Sequence, residues 1–448
     1  MASRRFRYLV IAVAVGLLAA SCGGSDNDED ADGPSGGDAA PPPSEIDYEA
    51  IGLWDDGPCD ETKEPLRVGL MTTFESPTVS LGDQAIALEA AAVGFNKRGG
   101  ANGSCIEVTT CDDGLNADQA VACAREVIDA GVVATINDQG LAGQADVSAT
   151  MAEAGVPRVA GNVTPDDWGD PNSYPMDASG TGVSILLPQA LINSDITEIA
   201  VIRVGEAEVA ALIPILDGIY GGEATITEDI PVPAGTTDFG QFILAAQQAD
   251  STGAILALAE QEGIQVVDAA QQLSSDLVLG SSLGSFSQQT VADLGDFAEQ
   301  MVFLWSFAPP TMNIPVYDAM RSDLAASGEE ALQPEQLKAS PVRSWIGLYA
   351  MLWMIRDQQV TEFSGEAMTA MLQSATDVPM LEMFGPDSWT PDASHPGVFA
   401  RAGIDRWVTY EWNPDAKGDF EGNFEQTSEM SFDEVFCGSP FGAPAESC

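Results

Sequence analysis

From Leu66 to Ser306, short apolar runs bounded by glycine, asparagine or aspartate alternate with longer stretches of helical composition. The runs Leu66–Met71, Ile106–Thr110, Val132–Ile136 and Val156–Ala160 predict strands, with helices over Gly82–Asn96, Asn116–Ala130 and Ala142–Ala154 between them. Asn116 suits an N-cap, and Gly131 stands just past the end of that helix. The rhythm restarts at strand Ile199–Arg203 and continues through helix Glu206–Tyr220, strand Ala224–Asp229, helix Gly240–Ala249, strand Ala254–Ala257, helix Gln261–Ser274, strand Leu277–Leu279 and strand Met301–Ser306. Alternating strands and helices imply a parallel sheet covered on both faces. Two successive runs therefore predict two such lobes, with the chain passing between them near Asp177–Thr181. Val342–Met354 is apolar nearly all round and predicts a buried helix. Beyond Pro379 the stretches Trp389–Pro391, Gly397–Arg401 and Trp407–Trp412 are expected to be strands of a late hairpin.

The amino terminus follows a different pattern. Arg4, Arg5 and Arg7 precede the apolar run Leu9–Ala20, which is shorter than the roughly 20 residues of a membrane-spanning helix. A basic start, a short apolar middle and small residues at its end describe a secretory signal, here residues 1–21. The end of the run, Leu17-Leu18-Ala19-Ala20-Ser21-Cys22, resembles the lipobox of bacterial lipoproteins. That resemblance implies a diacylated Cys22 as the first mature residue, and so an extracytoplasmic protein lipid-anchored to the outer face of the cell membrane. Residues 23–64 hold 14 acidic residues and one lysine among glycines, serines and Pro41-Pro42-Pro43, so residues 22–64 are expected to be a flexible acidic tether.

Composition narrows the partners. With 17 lysines and arginines against 69 acids the chain carries a net charge of -52, which excludes nucleic acid, since binding a polyanion needs cationic side chains. Six cysteines remain after Cys22, an even number that suggests disulfides in an exported protein. Fifteen pairings are open. Cys111 ends a strand whose following helix holds Cys123, so a local bridge across that turn is expected; Cys437 and Cys448 could close a C-terminal tail, leaving Cys59 and Cys105, each just before a strand, to meet at one edge of a sheet. No CxxC occurs and His395 is the sole histidine, so neither a metal nor a cofactor is expected.

The ordered series of short pieces carries a more specific resemblance. Val68-Gly69-Leu70-Met71-Thr72-Thr73, Ser76-Pro77 and Gly82-Asp83-Gln84 lead to Phe95-Asn96-Lys97-Arg98-Gly99-Gly100 and Asn102-Gly103. Cys111-Asp112-Asp113, Ala122-Cys123-Ala124, Ala154-Gly155-Val156-Pro157 and Asn162-Val163-Thr164-Pro165 follow in the same order. Residues 65 to about 430 thereby resemble the type I periplasmic-binding fold, in particular the branched-chain amino-acid-binding (Leu/Ile/Val-binding) group of ABC importers.

The resemblance implies an α/β fold of two doubly wound parallel-sheet lobes joined by a multi-strand hinge, with the ligand cleft between them. Lobe one would take 65–177 and 307–378, lobe two 178–306 and 379–436, and 437–448 would be a tail. It implies no enzymatic activity. The expected task is to close on a small polar solute, an amino acid or else an amide or organic acid, and deliver it as a monomer to a membrane permease. Loops after strands supply the candidate contacts: Phe74, Ser76, Asp138, Gln139, Asn162 and Thr164 in lobe one, Asp177 at the crossing, and Glu260, Gln261 and Ser282 in lobe two. Asn137, Glu206 and Ser285 lie in the same loops. Gly280-Ser281-Ser282-Leu283 has no carboxylate where amino-acid binders have one, and Leu81 stands where they have an aromatic residue, so the ligand stays open.

Two rivals remain. Gly280-Ser281-Ser282-Leu283-Gly284 has the G-x-S-x-G form of a hydrolase nucleophile elbow, with His395 downstream, but Ser285-Phe286-Ser287 intervenes before a helix can start. A sensor of the same fold, reporting to a membrane receptor, has almost the same sequence signature. The anchor has a direct test: Cys22→Ser should move the protein from the membrane fraction to the soluble fraction, and retention in the membrane would refute it.

Overall fold

The computed structural model describes residues 46–448 except 77–79, 162–168, 206–211, 234, 259, 396–399, 418–419, 441 and 447–448. The signal segment, Cys22 and the first half of the expected tether lie outside the described residues.

Lobe one is built from β1 (Leu66–Thr72), α1 (Gly82–Lys97), β2 (Ile106–Asp112), α2 (Ala117–Asp129), β3 (Ala134–Ile136), α3 (Gln144–Ala154), β4 (Arg158–Val159) and β5 (Ser173–Tyr174). Its strands pair in parallel in the order β2-β1-β3-β4-β5. Asn116 caps α2 as expected, its side chain accepting from Gln119 N–H, and Gly131 past the helix end has φ 77°. Lobe two begins with α4 (Ser179–Asn193), a helix the strand-helix rhythm does not announce, because Gly180, Gly182 and Pro188 mark it as loop. Tertiary packing overrides that propensity: α4 buries its apolar side chains against the strands of lobe two.

The chain continues through β6 (Glu198–Val204), α5 (Leu212–Tyr220), β7 (Thr225–Val232), α6 (Gly240–Gln248), β8 (Gly253–Ala257), α7 (Glu260–Gln272), β9 (Val278–Ser282), α8 (Gln288–Asp293) and β10 (Met301–Trp305). β10 is buried along its whole length, as its continuous apolar run requires. Helices α9 (Pro315–Ala325), α10 (Ala339–Asp357) and α11 (Gly365–Ser374) follow. α10 is buried on nearly every side, packing on α1, β3 and the 3-10 turn Leu283–Ser285 of lobe two.

The late segment differs from expectation. β11 (Val378–Pro379) pairs with β12 (Ser388–Trp389), so the Trp389 strand belongs to a separate two-stranded sheet. Ala400 and Arg401 form a turn, and the hairpin is β13 (Arg406–Lys417) with β14 (Glu421–Ser431), closed by the short α12 (Phe432–Val435). It adds antiparallel strands to an otherwise parallel sheet, order β14-β13-β10-β9-β8-β6-β7.

Three crossings connect the lobes. Residues 175–178 leave lobe one, 306–308 return, and 380–395 with 400–405 pass alongside both: Ile404 N–H donates to Met176 C=O at 2.6 Å, Ala308 N–H to Met383 C=O at 2.8 Å, and Trp389 Nε1 to Pro175 C=O at 3.2 Å.

The tether expectation needs correction from residue 46 onward. Leu53 and Trp54 are buried; Trp54 stacks on Phe95 at 5.7 Å and on Tyr349 at 6.0 Å, and Arg98 lies 4.8 Å over the Tyr48 ring. Average acidity hid five apolar side chains, Ile46, Tyr48, Ile51, Leu53 and Trp54, whose packing on the core outweighs the surrounding charge. Cys59–Cys105 and Cys111–Cys123 are both disulfides, the first fastening this segment to the start of β2. Cys437 is disulfide-bonded as well, and its expected partner Cys448 lies outside the described residues. Trp54→Ala should lower unfolding free energy by about 3–5 kcal/mol in chemical denaturation, whereas deletion of residues 23–45 should change it by less than about 0.5 kcal/mol.

Candidate functional site

Strand order selects where a ligand can sit. In lobe one β1 lies between β2 and β3, and in lobe two β6 lies between β7 and β8, so the connections diverge at each reversal. Such a reversal opens a crevice at the carboxyl ends of the strands. The lobe-one crevice is bordered by residues 73–76, 80 and 81 after β1 and 137–143 after β3, and the lobe-two crevice by 258 and 260 after β8.

At the lobe-one crevice two fully buried amides are tied to the start of α10. Asn137, held at φ 56°, donates through Nδ2 to Ser340 C=O at 3.0 Å and Ser344 Oγ at 2.9 Å. Gln84, in the first turn of α1, donates through Nε2 to Gln139 Oε1 at 2.7 Å and also to Ser340 Oγ. Ser344 Oγ donates in turn to Gln84 C=O at 2.9 Å. Lys338, just before α10, forms an ion pair with Glu260, the first residue of α7 in lobe two. Gln289 N–H of lobe two also donates to Glu335 C=O at 2.9 Å. Burial pushes the Asp83 carboxyl up, while the nearby Lys338 charge opposes that rise. Asp83 Oδ1, Gln84 Oε1 and Asn137 Oδ1 are buried without a hydrogen-bond partner. Each such acceptor costs about 1–3 kcal/mol when left unpaired. A groove of ≈ 500 Å³ lies beside α1 and α9, and one of ≈ 540 Å³ beside the β13–β14 hairpin is lined in part by Gln289 and Glu335.

Residues 65–403 match the model of a family described as periplasmic binding protein. The chain belongs to this family. No curated protein sequence matches it. Among solved structures, it resembles an R. palustris ABC transporter solute-binding protein in complex with 4-hydroxybenzoate, at TM-score 0.66 and 15% identity over 82% of this chain and 97% of that one. A fatty acid ABC transporter substrate-binding protein from Thermomonospora curvata gives TM-score 0.67 at 14% identity, over 85% and 95%. The closed conformation of a leucine-, isoleucine-, valine-, threonine- and alanine-binding protein from Brucella ovis gives 0.65 at 14%, over 86% and 98%. These likenesses establish the two-lobed α/β fold.

In this periplasmic binding protein the expected contact residues divide into three groups. Phe74 and Ser76 are part-buried after β1, Gln139 supports Gln84, and Glu260 reaches Lys338, so these four stand at the crevices. Asn162, Thr164 and Glu206 lie outside the described residues. The remainder are engaged elsewhere. Asp138 Oδ1 accepts from Met71 N–H at 2.9 Å, and Oδ2 accepts from Thr135 Oγ1 and faces Arg158 Nε at 3.5 Å; burial pushes this carboxyl up against those three donors. Gln261 is exposed. Ser282 Oγ accepts from Gly284 N–H at 3.1 Å, capping the 3-10 turn. His395 Nδ1 lies 3.0 Å from Asp433 Oδ2 and its ring meets Phe432 edge-on, so both members of the hydrolase rival serve local structure. Among the described residues no group of His, Cys, Asp and Glu is placed to hold a metal.

Asp177, expected beside a ligand, belongs instead to the hinge. Arg343 Nη1 lies 3.0 Å from Oδ1 and Nη2 donates to Oδ2 at 3.0 Å, both residues being completely buried. Ser306 Oγ donates to Oδ2 and Ser179 N–H to Oδ1 at 2.8 Å. Arg343, Lys338, Ser340 and Gln84 carry no motif of their own; a lysine among 69 acids and the Gly82-Asp83-Gln84 helix start were the available signals. Asp177→Asn should lower unfolding free energy by about 3–5 kcal/mol, because it strands a buried guanidinium, and adding Arg343→Met should restore a large part of that loss in the same denaturation assay.

Proposed function

We propose that this protein is the solute receptor of an ABC importer, lipid-anchored through Cys22 on the outer face of the cell membrane. It binds a small polar molecule, an amino acid, amide or organic acid, between the two crevices and passes it to a permease. The observation that carries this reading is the ion pair of Lys338 with Glu260, which links the two crevices where strand order leaves space for a ligand. Hinge motion at the crossings opens and closes such a cleft, and the tether keeps the receptor at high effective concentration near its permease. The solved relatives of the same fold are themselves described as solute-binding proteins of ABC transporters.

The test is a thermal-shift screen of the purified protein against amino acids, short amides and organic acids. At a hundred dissociation constants a true ligand stabilises the folded state by about 2.7 kcal/mol, seen as a raised melting temperature. A flat response to every compound would remove the receptor reading.

A further inference from the structure

Hydrogen-bonding capacity at the lobe-one crevice is lopsided. The donors of its amides are used by the protein: both Asn137 Nδ2 contacts go to α10, and both Gln84 Nε2 contacts go to Gln139 and Ser340. The Ser340 carbonyl orients Asn137, since turning that amide over would set oxygen against oxygen. Asn137 Oδ1, Gln84 Oε1 and Asp83 Oδ1 are left over, all shielded from water. Lys338, the cation beside them, is taken by Glu260. On the hinge side Arg343 Nε and Nη1 also lack a hydrogen-bond partner, but the guanidinium is already neutralised by Asp177, which lies 3.0 Å from Nη1.

Buried acceptors are ordinarily paired, so unfilled ones mark what a ligand must bring. A carboxylate has only acceptors to offer and would face three oxygens, whereas an ammonium brings three N–H groups and a primary amide two. We infer that the solute enters the lobe-one crevice with a nitrogen head group, an ammonium or primary amide, whose N–H donors satisfy Asp83, Gln84 and Asn137. This rests on the receptor reading above and narrows its ligand from small polar molecules to N–H donors.

Isothermal titration and thermal shift of the intact mature protein with putrescine, acetamide, isobutyramide, isobutyrate and benzoate test it. Putrescine or one of the amides should bind, and the two carboxylates should not. Gln84→Met, which keeps the length of the side chain in a helix, should weaken the bound compound about tenfold or more while the empty protein keeps its melting temperature within a few degrees. Asp83→Asn should weaken an amine strongly and an amide little, separating the two head groups. Binding by isobutyrate or benzoate with none by the nitrogen compounds would overturn the inference and leave the receptor reading standing. A nitrogen ligand held equally well by Gln84→Met would overturn it too, and binding by no compound in either screen would remove both readings.

Discussion

The ion pair of Asp177 with Arg343 is the constraint around which the two lobes are arranged. Two charges removed completely from water are tolerated only when each faces the other with its remaining hydrogen-bonding groups supplied. Here the Asp177 carboxylate is met from separate parts of the chain, Arg343 from α10, Ser306 from the end of β10 and Ser179 from the start of α4, while Arg343 Nε has no hydrogen-bond partner. The first two crossings and the long apolar helix are thus held to one point, and the third crossing is stitched to the first by Ile404 and Trp389.

Lys338 with Glu260 is an ion pair of the opposite kind. Both side chains keep contact with water, at 28% and 30% exposure, so separating them costs little. One pair is buried at the crossings and the other is part-exposed between the start of α10 and α7 of lobe two.

Acidity shapes the surface more than the interior. The buried cations are each matched to an acid: Arg98 forms a bidentate pair with Asp323, which also accepts from Trp345, and Arg158 faces Asp138. Gly94 is required there, because a Cβ would lie 2.3 Å from the Asp323 carboxyl carbon. Asp113 is also buried, accepting from Thr73 Oγ1 and Leu115 N–H, while most other acids among the described residues keep contact with solvent, where net charge keeps a protein soluble without choosing its fold.

The order of strands and helices, the buried character of β10 and α10, the Asn116 cap and two disulfides were legible along the chain because each depends on neighbours in sequence or on an unmistakable apolar period. The α4 helix and the packed segment around Trp54 were not, since glycine and acid content describe the isolated chain and burial is decided by distant partners. The site divides in the same way. Loops after strands were marked as the ligand end from the strand-helix order, but a carboxylate such as Asp177 or Asp138 has the same appearance in sequence whether it faces a solute or an arginine. Gln84, Ser340 and Lys338 are separated by up to 256 residues and meet only when α10 is laid against α1. The sequence alone determined the elements and the acidic, disulfide-forming character of the chain; the tertiary structure decided which polar groups were consumed in holding the lobes and which were left for a ligand, because hydrogen-bond satisfaction is a property of the assembled neighbours.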